Sequence, residues 1–165
     1  MSHSIRTICC MVAVALATSA GTALAQAPTK HKAFCVTVGT NPQEPVGDRA
    51  GHALQVSNYS CRVEGGPMEG GVMTGTNIFE WDGGKAVILS GGGVVRKPGS
   101  ILSYKVTEGS ITLLMTDGKV SGYTGSGKGV VNLATGVTAA LIGKTYSYTV
   151  QPLTPGQFAI ETIYD

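Results

Sequence analysis

The chain has 165 residues, with twelve basic and ten acidic side chains and a net charge of +2. Lysines and arginines are scattered singly apart from Arg96-Lys97, so no basic patch argues for nucleic acid or an anionic membrane surface. Four cysteines and three histidines stand in no metal-ligand spacing, and no metal site or cofactor is expected.

The first 25 residues have the layout of a secretory signal peptide. MSHSIR supplies one charge at Arg6, ICCMVAVALATSA runs apolar, and Ala23-Leu24-Ala25 ends in a small-x-small pattern. Cleavage is expected between Ala25 and Gln26, leaving residues 26–165 as one domain in the periplasm or outside the cell. The apolar run is too short to span a bilayer, which needs about 20 residues. No second apolar stretch follows it, so no membrane insertion is expected after cleavage. Cys9 and Cys10 leave with the leader. Cys35 and Cys61 remain, and a cysteine pair in an exported domain reads first as a disulfide.

Beyond a polar lead-in at residues 26–32, KAFCVTVG is a first strand rich in β-branched and aromatic residues. NPQEPVGDRA is a loop. HALQVSNYSCRV then puts Leu54 and Val56 in one phase and Tyr59, Cys61 and Val63 in the other, which suggests a bulge or bend near Ser57-Asn58. After the connection EGGPMEGG, TNIFEW places Phe79 and Trp81 on one face, and Asp82-Gly83-Gly84 turns the chain into KAVILSGG. ILSYKV sets Leu102, Tyr104 and Val106 in phase, and a turn is expected at Glu108-Gly109. SITLLMT follows with Ile111, Leu113 and Met115, then a turn at Asp117-Gly118. The remainder is glycine-rich strand, and NLATGVTAALIG lacks the charge pattern of a surface helix. Turns every 8–12 residues or so predict an all-β domain, a single antiparallel β-barrel of about eight strands.

Tempting motifs have plain alternatives. GYTGSGKG, Gly122 to Gly129, departs from the phosphate-binding loop at the final Ser or Thr, here Gly129, and lacks the following helix. No nucleotide is therefore expected. Asn58-Tyr59-Ser60 fits a glycosylation sequon that is idle if the organism is a bacterium. His31 is expected to be solvated in the lead-in, while His52 opens a strand. Glu80 and Asp82 flank Trp81 as a solvated pair. No serine nucleophile has a histidine near it in sequence, and no catalytic residue is assigned.

The run TDGKVSGYTGSGKGVVNLATGVTAALIGKTYSYTV resembles bacterial exported proteins with the allene oxide cyclase-like barrel, which share a G-x-T-G-x-G strand, an A-T-G and a G-K-x-x-Y return. The matching residues are Gly122, Thr124, Gly125, Gly127, Ala134, Thr135, Gly136, Gly143, Lys144 and Tyr148. Confined to the C-terminal third, the resemblance implies a calycin-like or allene oxide cyclase-like eight-stranded barrel with a central cavity, and carries over no active site.

A small closed barrel has room for one ligand, and ligand pockets are mostly apolar with a few polar groups. The expected function is non-catalytic binding of a small apolar or amphipathic molecule in the lumen, at Trp81, Tyr104 and Tyr123. The alternatives are an isomerase or cyclase in the same cavity, and an envelope structural or interaction module. A buried Glu80 with a raised pKa or a water-holding Asn77 would favour the first; a large exposed apolar patch would favour the second.

Overall fold

A computed structural model describes residues 29–165, so the leader expected over residues 1–25 lies outside the described residues, as do residues 26–28. The alternating runs fold into nine strands: β1 (Thr29–Val38), β2 (Glu44–Pro45), β3 (His52–Glu64), β4 (Val72–Asp82), β5 (Lys85–Lys97), β6 (Ser100–Thr116), β7 (Lys119–Ala134), β8 (Thr145–Pro152) and β9 (Gln157–Tyr164). The two-residue β2 leans on the start of β3. The other eight pair antiparallel in sequence order, and β1 pairs with both β9 and β3. The sheet thereby closes into an eight-stranded barrel, the expected fold class, and no long strand keeps a free edge.

Turn chemistry sets the register. Asp117 and Gly118 both have positive φ, 53° and 75°, the backbone of a two-residue hairpin turn whose twist suits the flanking strands. Cys35 and Cys61 are direct cross-strand partners where β1 meets β3, with Cα atoms 3.9 Å apart, and they form the expected disulfide. The bond clips the seam at which the barrel closes.

Three expectations need correction. Glu108-Gly109 does not turn the chain: β6 runs unbroken for 17 residues, and a bulge between Val106 and Glu108 reverses which residues face inward. Leu102, Tyr104 and Val106 point in before it, Ile111 and Leu113 after it. The expected bulge at Ser57-Asn58 is absent, because the β3–β4 register is continuous from His52 to Arg62. Odd-numbered residues of β3 face the lumen throughout, so Gln55 and Ser57 point in while Leu54 and Val56 are 42% and 52% exposed. The apolar phase changed because the lining turns polar there. A bulge that the sequence did not suggest lies at Leu89, between the pairs Ile78–Ser90 and Phe79–Ile88.

The third correction is His31. It is 7% exposed and faces inward against the Tyr164 ring, 5.4 Å away. Gly136–Leu141 form a short 3-10 helix packed beside the start of β6 and the end of β7, with Thr138 fully buried. At the same end the 65–71 loop buries Met68 against the barrel. Among the described residues no helix is long and apolar enough to cross a membrane.

Candidate ligand-binding lumen

Cross-strand pairing arranges the inward residues in rows around the barrel. One row runs Cys35, Cys61, Met73, Val95, Leu102 and Ala134, each the direct partner of the next, and it is filled with buried side chains. The next row toward the opposite end runs Tyr59, Gly75, Gly93 and Tyr104. With no side chain on the two glycines, the tyrosines reach toward each other, and their hydroxyls meet at 3.0 Å. A Cβ at Gly75 would come within 2.4 Å of the Tyr59 hydroxyl and 2.6 Å of that of Tyr104.

The same large-over-small rule repeats. Tyr146 lies over Gly129, its direct partner, and Tyr148 over Gly127 and Gly109. Asn77 lies over Gly91. Gly127 and Gly129 of GYTGSGKG are therefore mid-strand positions of β7 whose bare inner faces receive tyrosine rings, whereas Gly122 lies against Pro152 and Gly125 against Ser110 and Ile111. Alternating large and small residues at facing positions is how a core interdigitates.

The packing leaves a cavity of about 330 Å³, at the small end of the range for ligand sites. Trp81, Tyr104 and Tyr123 all lie on its wall. So do Tyr59, Tyr146, Tyr148 and Tyr164, which means that every tyrosine in the chain lines one cavity. Ring contacts link them: Tyr146 sits 6.0–6.3 Å from Tyr164, Tyr148 and Tyr104, and Phe158 lies between Tyr59 and Tyr123. Burial raises the pKa of all six hydroxyls, so they stay protonated as hydrogen-bond donors. Burial also pushes His31 down to about 4, which keeps that ring neutral near pH 7.

Several polar groups on the wall have partners. Trp81 Nε1 donates to Gln55 Oε1 at 2.9 Å, and Gln55 Nε2 donates to the Asn41 carbonyl. Tyr146 donates to the Lys105 carbonyl at 3.2 Å. Three buried polar atoms on lining residues have none among the described residues: Asn41 Nδ2, Asn77 Oδ1 and the Tyr148 hydroxyl. Asn41 Oδ1 accepts from the Asn58 amide, which fixes the carboxamide orientation and leaves Nδ2 free. Leaving such groups unpaired costs about 1–3 kcal/mol each.

The mouth lies where the 39–51 segment crosses the barrel end, since Asn41 and the exposed Gln43 both line the cavity. On another side stand Leu113 and Tyr123, at the base of the β6–β7 hairpin tip, where Leu113 N donates to the Gly84 carbonyl and Thr124 Oγ1 to the Val150 carbonyl. An ion cluster anchors the strap. His52 bridges Asp48 and Glu80, its Nε2 lying 2.9 Å from Glu80 Oε1, and Arg49 reaches Asp82 at 3.3 Å. The Asp48 and Glu80 hydrogen bonds raise the His52 pKa. Glu80 thus points outward, away from the lumen, whereas Asn77 points in. The outer faces of β3–β5 carry Leu54, Val56, Ile78, Val87 and Leu89, all exposed, with Val56 and Ile78 directly paired.

Tyr59, Tyr146, Tyr148, Tyr164, His31 and Asn41 went unnoticed as lining in the sequence. The signal available was the Tyr146-x-Tyr148-x-Val150 alternation, which puts three bulky side chains on one face. No family model, no curated protein and no solved structure matches the chain.

Proposed function

We propose that this protein is an exported barrel that binds one small, mostly apolar or amphipathic molecule in its lumen. The carrying observation is the cavity whose wall collects all six tyrosines and the single tryptophan around three buried, unpartnered polar atoms. Aromatic walls with a few hydrogen-bonding groups are the usual composition of a small-molecule site. Export is supported by the disulfide, which forms and persists in oxidising compartments, and by the N-terminal leader pattern.

Binding suits the wall better than acid–base catalysis. The lining carries hydroxyls, carboxamides and one neutral imidazole, and Glu80, the carboxylate an isomerase reading would recruit, faces outward to His52. The lumen-facing Asn77 is the one feature that favours the isomerase or cyclase reading. An interaction module is a second reading, favoured by the outward apolar strip from Leu54 to Leu89. Self-association measured by light scattering tests that strip directly.

The lumen reading is tested by native mass spectrometry of the purified protein with fatty acids, terpenoids and phenolics. A one-to-one adduct, reduced in Tyr148→Phe, is the expected result. A folded protein that takes up none of them contradicts the proposal.

A further inference from the structure

Among the described residues no Asp, Glu, Lys or Arg contributes an atom to the cavity wall. Beside the mouth, five charged or titratable groups pair with one another: Asp48 with His52 and Arg49, Glu80 with His52, and Asp82 with Arg49. A carboxylate or ammonium drawn into the lumen would lose its water and meet no counter-ion, the situation in which a buried charge is most costly. His31, the one titratable cation on the wall, is neutral there.

The unpartnered atoms ask for something different. Asn41 Nδ2 needs an acceptor, Asn77 Oδ1 needs a donor, and the Tyr148 hydroxyl takes either. All three are satisfied by uncharged groups that both give and receive a hydrogen bond. The shape points the same way. Tyr59, Tyr104, Tyr146 and Tyr148 lie across the bare inner faces of Gly75, Gly93, Gly129 and Gly127, so the wall is built largely from ring faces and ring edges. Such surfaces favour another ring, by offset stacking or edge-to-face contact.

We propose that the lumen selects uncharged, ring-bearing molecules carrying both a donor and an acceptor, such as amides, alcohols and phenols, and rejects their carboxylate and ammonium counterparts. This rests on the lumen-binding reading above and names the ligand class for that same site.

The test is a matched pair differing in charge and little else, 2-naphthamide against 2-naphthoate, titrated calorimetrically into the purified protein at neutral pH. Naphthamide is expected to bind one to one, and naphthoate about a hundredfold more weakly. Tyr148→Phe and Asn77→Leu, with unfolding transitions that stay cooperative, are each expected to weaken naphthamide about tenfold. Naphthoate binding within about threefold of naphthamide, or more tightly, overturns the charge selectivity and leaves lumen binding standing. Failure of both probes overturns ring selectivity when the native spectra show another adduct. When the spectra are also empty, lumen binding itself is overturned, and this inference with it.

Discussion

Tyr59 on β3 and Tyr104 on β6 are separated by two intervening strands, yet their hydroxyl oxygens lie 3.0 Å apart. Gly75 and Gly93 make that possible, because each is the cross-strand partner that would otherwise fill the gap. Both tyrosines line the cavity, one inward-facing step along their strands from the packed row that contains the disulfide. Glycine content here is a packing device: bare backbone on one strand receives an aromatic ring from another.

Gly75→Ala is therefore expected to destabilise the fold by about 1–3 kcal/mol, the usual range for overpacking. Gly84→Ala, in the β4–β5 turn with open space where its Cβ would go, is expected to change stability by less than about 0.5 kcal/mol. Denaturant midpoints of the two variants check the contrast. Equal effects would separate glycine content from lumen packing.

The Cys35–Cys61 bond joins residues 26 apart in sequence and locks β1 to β3. Chain-entropy arithmetic gives about 3.5 kcal/mol for a loop of this length. The purified protein should show no titratable thiol at these positions until reduced, and Cys35→Ser should lower the unfolding midpoint. Two reactive thiols in unreduced native protein would contradict the bond.

Tyr148 allows a prediction with two opposite signs. Its buried hydroxyl has no partner, so Tyr148→Phe should stabilise the empty barrel by about 1 kcal/mol. The same change should weaken ligand binding, because the ligand is what satisfies that hydroxyl. A thermal melt with and without ligand reads both effects, and loss of stability in the empty protein would contradict the assignment.

His31 and His52 pull stability in opposite directions along the pH axis. His31 has a folded pKa of about 4 against 6.5 unfolded, so its contribution is complete above pH 6.5 and disappears as pH falls toward 4. The shift corresponds to about 3 kcal/mol, and His31→Phe should remove that part of the acid loss. His52 has a raised folded pKa, so its contribution is complete below 6.5 and is lost as pH rises through the folded value. Urea midpoints of His52→Gln should be flatter than wild type on that alkaline side.

The barrel was legible in the sequence because turn chemistry is local. Asp82-Gly83-Gly84 and Asp117-Gly118 announce hairpins, and the alternation of Phe79 with Trp81 or Leu102 with Tyr104 announces inward faces. Glu108-Gly109 misled for a physical reason. A glycine after an acidic residue reads as a turn, but Gly109 is small because the Tyr148 hydroxyl lies against it. The change of phase from Leu102-Tyr104-Val106 to Ile111-Leu113 was the visible mark of the bulge. The cavity was less legible. Which tyrosine lies over which glycine depends on register between strands distant in sequence, and His31 looks solvated until β9 packs beside it.

The most direct measurement of the lumen's role is the emission of Trp81, the single tryptophan, 4% exposed on the cavity wall with its indole N–H held by Gln55. Titration with an uncharged amphipathic ligand should give a saturable, one-site change in intensity or wavelength, attenuated in Asn77→Leu. A flat response across fatty acids, terpenoids and phenolics, from protein that still unfolds cooperatively, would contradict the account of this barrel as a lumen-binding protein.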